Sequence, residues 1–233
     1  MTDTEFGQVR TLMRDVSGII MAPHKKQLAA GRLIKRLKAL GLASFREYVQ
    51  LLQQPDQHEE RRLAVDLLTT NETFFFREEA HFQFLRSYLM DKGGAAIKIW
   101  SAACSSGEEV YSLAMLLDSL YPGQNNWSLI GSDLCRHVLE TAQQGIYPLS
   151  RASAIPQDML RRYCLKGVGK MDGFIQMQNS LRQRVSFRCL NLNTALPNDL
   201  PFFDVIFLRN ILIYFDAAGK KSIVSNVISH LSP

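Results

Sequence analysis

"AAIKIWSAACSSGEEVYSLAMLLDSLY", residues 95–121, is the stretch whose reading decides the fold. A β-rich apolar run leads into the small-residue turn "CSSGEE" (104–109), and a helix-forming run follows, closed by Pro122-Gly123. The order is strand, loop, helix. Downstream, "WSLIGSD" (127–133) repeats the strand signal and ends on Asp133, and "CRHVLETAQQGIY" (135–147) is again helical. Two further short strands, "VSFRCLNLN" (185–193) and "FDVIFLRN" (203–210), precede the helical "DAAGKKSIVSNVISHL" (216–231) with Asp216 near its start. Strands alternating with helices predict a parallel, doubly wound sheet.

Upstream, residues 4–68 read as helices throughout. In "FGQVRTLMRDVSGI" the apolar Phe6, Val9, Leu12, Met13 and Val16 fall at helical spacing, with Gly18 as a stop. A second helix begins near Pro23. There Leu33, Ile34, Leu37 and Leu40 share one arc and Lys25, Arg32, Lys35 and Arg36 another, until Gly41 ends the run. Ser44 and Glu47 form a capping box for a third helix, and "HEERRLAVDLLTT" supplies a fourth. The expected organisation is an all-α domain over 1–70, a linker over 71–95 and an α/β domain over 96–233. The linker begins "NETFFFREEAHF" (71–82), whose three phenylalanines fit neither a helical nor a strand period.

With 233 residues, 46% hydrophobic and 21% charged, the usage is that of a folded globular chain. No apolar run approaches the roughly 20 residues of a membrane helix, and "MTDTEFGQVR" lacks the basic-then-apolar order of a secretory signal. Cys104, Cys135, Cys164 and Cys189 show no CxxC pair, and the five histidines give no ligand set. These features predict a soluble cytoplasmic protein with free thiols, no metal and no direct membrane insertion. No histidine pairs locally with Cys104, so it reads as a small apolar loop residue rather than a nucleophile.

In an open α/β sheet, ligands bind beyond the carboxyl ends of the strands. The 103–109 loop is no dinucleotide fingerprint: it has one glycine, and Glu108-Glu109 stand at the helix N-terminus where a pyrophosphate would be repelled. Negative charge there suits a cationic ligand without phosphate, and Asp133 is placed to accept hydrogen bonds from two ribose hydroxyls. A phosphate-free nucleoside carrying positive charge describes S-adenosylmethionine.

"NETFFFREE", "IWSAACSSGEEVYSLAMLL", "GSDLCRHVLETAQQGIY", "RCLNLN" and "FDVIFLRNILIYFD", in that order, closely resemble the CheR family of chemotaxis receptor glutamate O-methyltransferases. The resemblance covers nearly the whole chain. It implies a class I S-adenosylmethionine-dependent methyltransferase, a Rossmann-like doubly wound sheet preceded by a small all-α domain. It implies transfer of methyl groups from S-adenosyl-L-methionine to receptor glutamates, with S-adenosyl-L-homocysteine as product. Asn71, Thr73 and Arg77 would line the cofactor pocket from the linker, the phenylalanines wedging that linker into the core. Glu109, rather than Glu108, would meet the methionine part, Asp133 the ribose, and Asn191 and Leu192 the adenine. Arg209, Asn210 and Tyr214 would line the methyl-transfer end, with Arg77 and Tyr214 as catalytic candidates. The basic face of Lys25, Arg32, Lys35 and Arg36 would dock the acidic cytoplasmic helices of chemoreceptors. The segment 163–188, with Gly167, Gly169 and Gly173, resembles the small β-subdomain that grips a receptor C-terminal pentapeptide in some members; its other reading is a glycine-rich hairpin.

The family's sheet has seven strands and this chain shows four clear ones, so the C-terminal strands are expected to be missing. A non-catalytic receptor-binding or cofactor-sensing module of the same fold is the competing reading. A nucleic-acid methyltransferase is disfavoured because "RNILIYF" lacks an Asn-Pro-Pro-aromatic element.

Overall fold

A computed structural model describes residues 1–92 and 95–233; Gly93 and Gly94, within the 71–95 linker, lie outside the described residues. The chain forms two compact units, residues 1–70 with 210–225, and residues 71–209 with 226–233.

The first unit begins with α1 (Asp3–Ser17), whose Thr2 and Glu5 make a capping box and whose end is set by Gly18 in the left-handed region. A 3₁₀ turn at Pro23–Lys25 leads into α2 (Lys26–Ala39), followed by α3 (Phe45–Gln53) and α4 (His58–Leu68). Ser44 caps α3 by accepting from Glu47 N–H, while Glu47 reaches back to Ala43 N–H at 3.0 Å. Phe6, Val9, Met13, Leu33, Leu37, Tyr48, Leu52 and Val65 build the core. The expected apolar arc of α2 is narrower than its sequence, because Leu33 and Leu37 are buried whereas Ile34 and Leu40 are exposed.

The basic arc of α2 is only partly a free surface. Arg36 is bidentate to Glu60, its Nε 2.9 and 3.0 Å from the two carboxylate oxygens, and Tyr48 Oη donates to the same carboxylate at 2.8 Å. Arg32 donates to the carbonyls of Leu68 and Thr69 at 2.9 and 2.7 Å, capping the end of α4. Both guanidiniums hold the helical unit together, and Lys35 is left exposed.

The second unit opens with α5 (Glu79–Asp91), β1 (Ile97–Ala102), α6 (Glu108–Leu120), β2 (Trp127–Asp133) and α7 (Arg136–Gln144). Next come β3 (Ile146–Pro148), α8 (Gln157–Tyr163), β4 (Cys164–Lys166), β5 (Phe174–Met177), α9 (Asn179–Arg182), β6 (Val185–Cys189) and β7 (Val205–Leu208). The last helix, α10 (Ala217–Ile228), belongs up to Ser225 to the first unit and starts beside Asp216, which accepts Gly219 N–H at 2.8 Å.

All four strands anticipated from the sequence join one parallel sheet in the order β6-β2-β1-β7, with Ile97 opposite Trp127 and Trp100 opposite Ile206. Five of the six residues of β1 are buried, and α6 is buried from Val110 to Leu117, which is why neither shows a period of its own. The strand order reverses at β1, so the crevice of an α/β sheet opens beyond its carboxyl end.

Two sequence expectations shift here. The helical reading of 135–147 ends early: α7 stops at Gln144, Gly145 takes φ +61°, and a Cβ there would lie 3.1 Å from Tyr111 Oη, so the chain turns into β3. The small antiparallel sheet, β3-β5-β4, therefore draws in residues 146–148, while β6 from within the expected 163–188 segment belongs to the parallel sheet. Its Gly167 must be glycine, since a Cβ would fall 1.9 Å from the Met171 carbonyl oxygen.

Candidate functional site

In the second unit, the carboxyl ends of β1, β2, β6 and β7 and the linker before α5 carry cofactor-site candidates. The loop after β1 is conformationally costly. Ala103, Ser105 and Gly107 all have positive φ, at +67°, +51° and +92°, and two of the three carry a Cβ. Ser105 N–H donates to Asp133 Oδ2 at 2.8 Å, and Ser105 Oγ donates to the Asn71 carbonyl at 2.9 Å. One serine thus joins the linker, the first loop and the end of β2.

Asp133 is half-buried. Its Oδ1 accepts Cys135 N–H at 3.0 Å, so both carboxylate oxygens are fixed by backbone donors. An ionised carboxylate has about four acceptor positions, and fixing its orientation in this way suits it to a vicinal diol. Glu109 is 14% exposed and accepts from Ser101 Oγ at 2.7 Å and from Arg209 Nη1 at 2.8 Å. Burial pushes its carboxyl above the ordinary value, and the Ser101 hydrogen bond and the Arg209 charge pull it back. Glu108 is enclosed completely; it accepts from Ser106 Oγ at 2.6 Å and pairs with Arg151.

Arg209, 10% exposed, is the hub of the linker side. It pairs with Glu109, with Glu78 at 3.1 Å and with the carbonyl of Arg77, and its Nε is buried without a partner among the described residues. Phe76 and Glu78 flank Arg77 in left-handed conformations, at φ +53° and +58°, and Phe76 N–H is anchored on Ser112 Oγ at 2.9 Å. The three phenylalanines do not act alike. Phe75 is fully buried edge-on to Tyr147, Phe76 is half-buried against Phe82, and Phe74 is exposed beneath the Arg77 guanidinium. Thr73 and Asn71 are half-buried on the same linker.

Asn191 and Leu192 follow β6. The Asn191 side chain accepts Asn193 N–H at 3.0 Å, and Asn226 donates to the buried Leu192's carbonyl at 3.0 Å, which fixes that turn. Asn210 and Tyr214 belong to the first unit. Asn210 is left-handed at φ +57°; the Tyr214 carbonyl accepts Ile20 N–H at 2.9 Å, and Lys25 Nζ stands 5.8 Å from the Tyr214 ring centroid. A docking candidate and a catalytic candidate are thus neighbours within one unit.

Cys104 is buried, and burial pushes its thiol well above the usual range, which is the setting of a small apolar loop residue. Among the described residues no cluster of His, Cys, Asp or Glu could hold a metal, and no helix is long and apolar enough to cross a membrane. Sequence reasoning missed Ser101, Ser105, Ser106, Tyr147 and Arg151. The serines read only as small loop residues, and Tyr147 was hidden in an over-extended helix.

Residues 4–69 match the family model described as CheR methyltransferase, all-alpha domain, and residues 71–233 match CheR methyltransferase, SAM binding domain. The chain is 36% identical over 234 residues to the chemotaxis protein methyltransferase of Salmonella typhimurium, covering all of this chain and 81% of that one. It is also 36% identical to the Escherichia coli protein of that name, covering 82% of it, and 37% identical to chemotaxis protein methyltransferase 2 of Pseudomonas aeruginosa, covering 83%.

Proposed function

Because the chain belongs to the CheR methyltransferase family, we infer that it transfers methyl groups from S-adenosylmethionine to glutamate side chains of chemoreceptors, leaving glutamate methyl esters. The observation that carries this reading is the carboxylate pair at the strand ends: Asp133 fixed by two backbone N–H groups, and Glu109 fixed by Ser101 and Arg209. This pair of acceptors fits a cationic nucleoside without phosphate.

When bound, S-adenosylmethionine supplies an electrophilic methyl group on a sulfonium centre. The residues of this chain bind and orient. Asp133 holds the ribose hydroxyls, Asn191 and Leu192 flank the adenine, and Asn71, Thr73, Arg77 and Glu109 surround the amino-acid end. Arg209 offsets part of the cost of burying the Glu109 carboxylate and fixes the Arg77 backbone. Asn210 and Tyr214 line the methyl-transfer end, and Tyr214 orders the acceptor carboxylate. A glutamate is ionised at neutral pH, so none of these side chains has to act as a base. Placement is what the protein contributes, and orientation effects of this kind reach roughly 7–11 kcal/mol.

The partner is the acidic cytoplasmic helix bundle of a chemoreceptor, which places the reaction in the cytoplasm. Lys35 supplies exposed charge of the docking face and Lys25 half-buried charge beside Tyr214, with Arg32 and Arg36 holding that face in shape. An extended receptor peptide would add to an edge of the β3-β5-β4 sheet. Calorimetric titration with S-adenosylhomocysteine tests the reading: saturable one-to-one binding is expected, and no binding heat across the micromolar to millimolar range would overturn it.

A further inference from the structure

We propose that Arg151 and Tyr147 are positioning residues for cofactor binding, clamping the 103–107 loop through Ser106 and Glu108 from outside the parallel sheet. This rests on the functional reading above. The loop holds two non-glycine residues in left-handed conformations, a state that persists only where surrounding contacts over-determine it. Its cofactor-facing contacts run through Ser105 to Asn71 and Asp133. Its other side is held by residues of the 146–154 segment.

Tyr147 Oη donates to the Ser106 carbonyl at 2.7 Å. Arg151 donates to Ser106 Oγ at 3.3 Å and to Glu108, and Ser106 Oγ donates in turn to Glu108 at 2.6 Å. Glu108 is the first residue of α6 and is fully buried, so without Arg151 its carboxylate would lose its charge partner and would have to move or take up a proton. Burial already pushes that carboxyl above its ordinary value, opposed by Ser106 and by Arg151. The fit is also steric, since a Cβ on Gly107 would lie 2.7 Å from Ala142 Cβ and 3.0 Å from Tyr147 Oη. The fully buried Tyr147 ring packs edge-on against Phe75 at 5.1 Å, so the clamp reaches the linker that carries Asn71 and Arg77 as well.

The test compares Arg151→Met, Arg151→Lys, Tyr147→Phe and the double variant Glu108→Gln/Arg151→Met with the wild-type chain. Arg151→Met should weaken S-adenosylhomocysteine binding roughly ten- to a hundredfold. It should raise the KM for S-adenosylmethionine more than it lowers kcat, and speed amide exchange at residues 103–108 in the ligand-free protein. Lysine should restore most of the affinity, and Tyr147→Phe should show a smaller loss of the same kind. The double variant, which removes the buried charge with little change in volume, should recover thermal stability without recovering affinity. Binding by Arg151→Met within threefold of wild type, or affinity returning together with stability in the double variant, would overturn the clamp while leaving the functional reading intact. A wild-type chain that fails to bind would overturn both.

Discussion

Replacing Asp133 by Asn changes almost no volume but removes the charge and one of two acceptors. The carboxylate accepts Ser105 N–H at 2.8 Å and Cys135 N–H at 3.0 Å, one on each oxygen. An amide can satisfy only one of them, and its NH₂ then faces the other N–H donor to donor. The ribose diol meets the same substitution from its own side, losing charge-assisted acceptors that are worth about 1.5–3 kcal/mol. That range corresponds to a roughly ten- to 150-fold weaker dissociation constant for S-adenosylhomocysteine. Asp133→Ala should fall in the same range, because the loss of both acceptors dominates in either variant. Calorimetric titration of the three proteins at one temperature and pH, with thermal melts to confirm folding, reads the effect. A dissociation constant within threefold of wild type for both variants would refute the assignment of Asp133 to the nucleoside.

Arg36→Ala should destabilise the chain by about 2–3 kcal/mol, at or below the lower limit for breaking a fully buried pair because the arginine is partly exposed. Burial raises the Glu60 carboxyl, but the hydrogen bonds from Arg36 and Tyr48 outweigh it and hold the pKa below the ordinary value. This stabilisation is therefore present above the unfolded-state value of about 4.3, and the difference between wild type and Arg36→Ala in denaturant melts should shrink as pH falls below it. Exposed Lys35→Glu should change stability by less than about 0.5 kcal/mol yet reduce receptor methylation most at low salt, with cofactor affinity unchanged; equal activity at low salt would remove Lys35 from the docking face. Tyr214→Phe should lower turnover with S-adenosylhomocysteine affinity within a few-fold of wild type, and unchanged turnover would deny the hydroxyl a part in ordering the acceptor.

The sequence read best where one physical rule dominated. Strand-like segments marked all four parallel strands, and the strand ends marked where a ligand would sit, which put Asp133 and the Glu108-Glu109 pair forward; Asn191, Arg209 and the choice of Glu109 came from the resemblance to the CheR family. It read less well where tertiary contacts override pattern. "QQGIYP" carries a helical pattern up to Tyr147, but Gly145 crowded by Tyr111 turns the chain into β3, a choice that only packing makes. The basic arc of α2 looked uniform, yet Arg32 and Arg36 are consumed by Thr69, Leu68 and Glu60, partners 24 to 37 residues away that no local spacing reveals. Arg151 is 43 residues from Glu108, and its clamp is invisible for the same reason.

The most direct test of the central claim follows labelled methyl groups from S-adenosylmethionine onto the cytoplasmic domain of a chemoreceptor. The account predicts label on receptor glutamates that mild base releases as volatile methanol, lost when the acceptor glutamates are changed to alanine. A wild-type chain that binds S-adenosylhomocysteine yet transfers no base-labile label to any methyl-accepting receptor domain would contradict it.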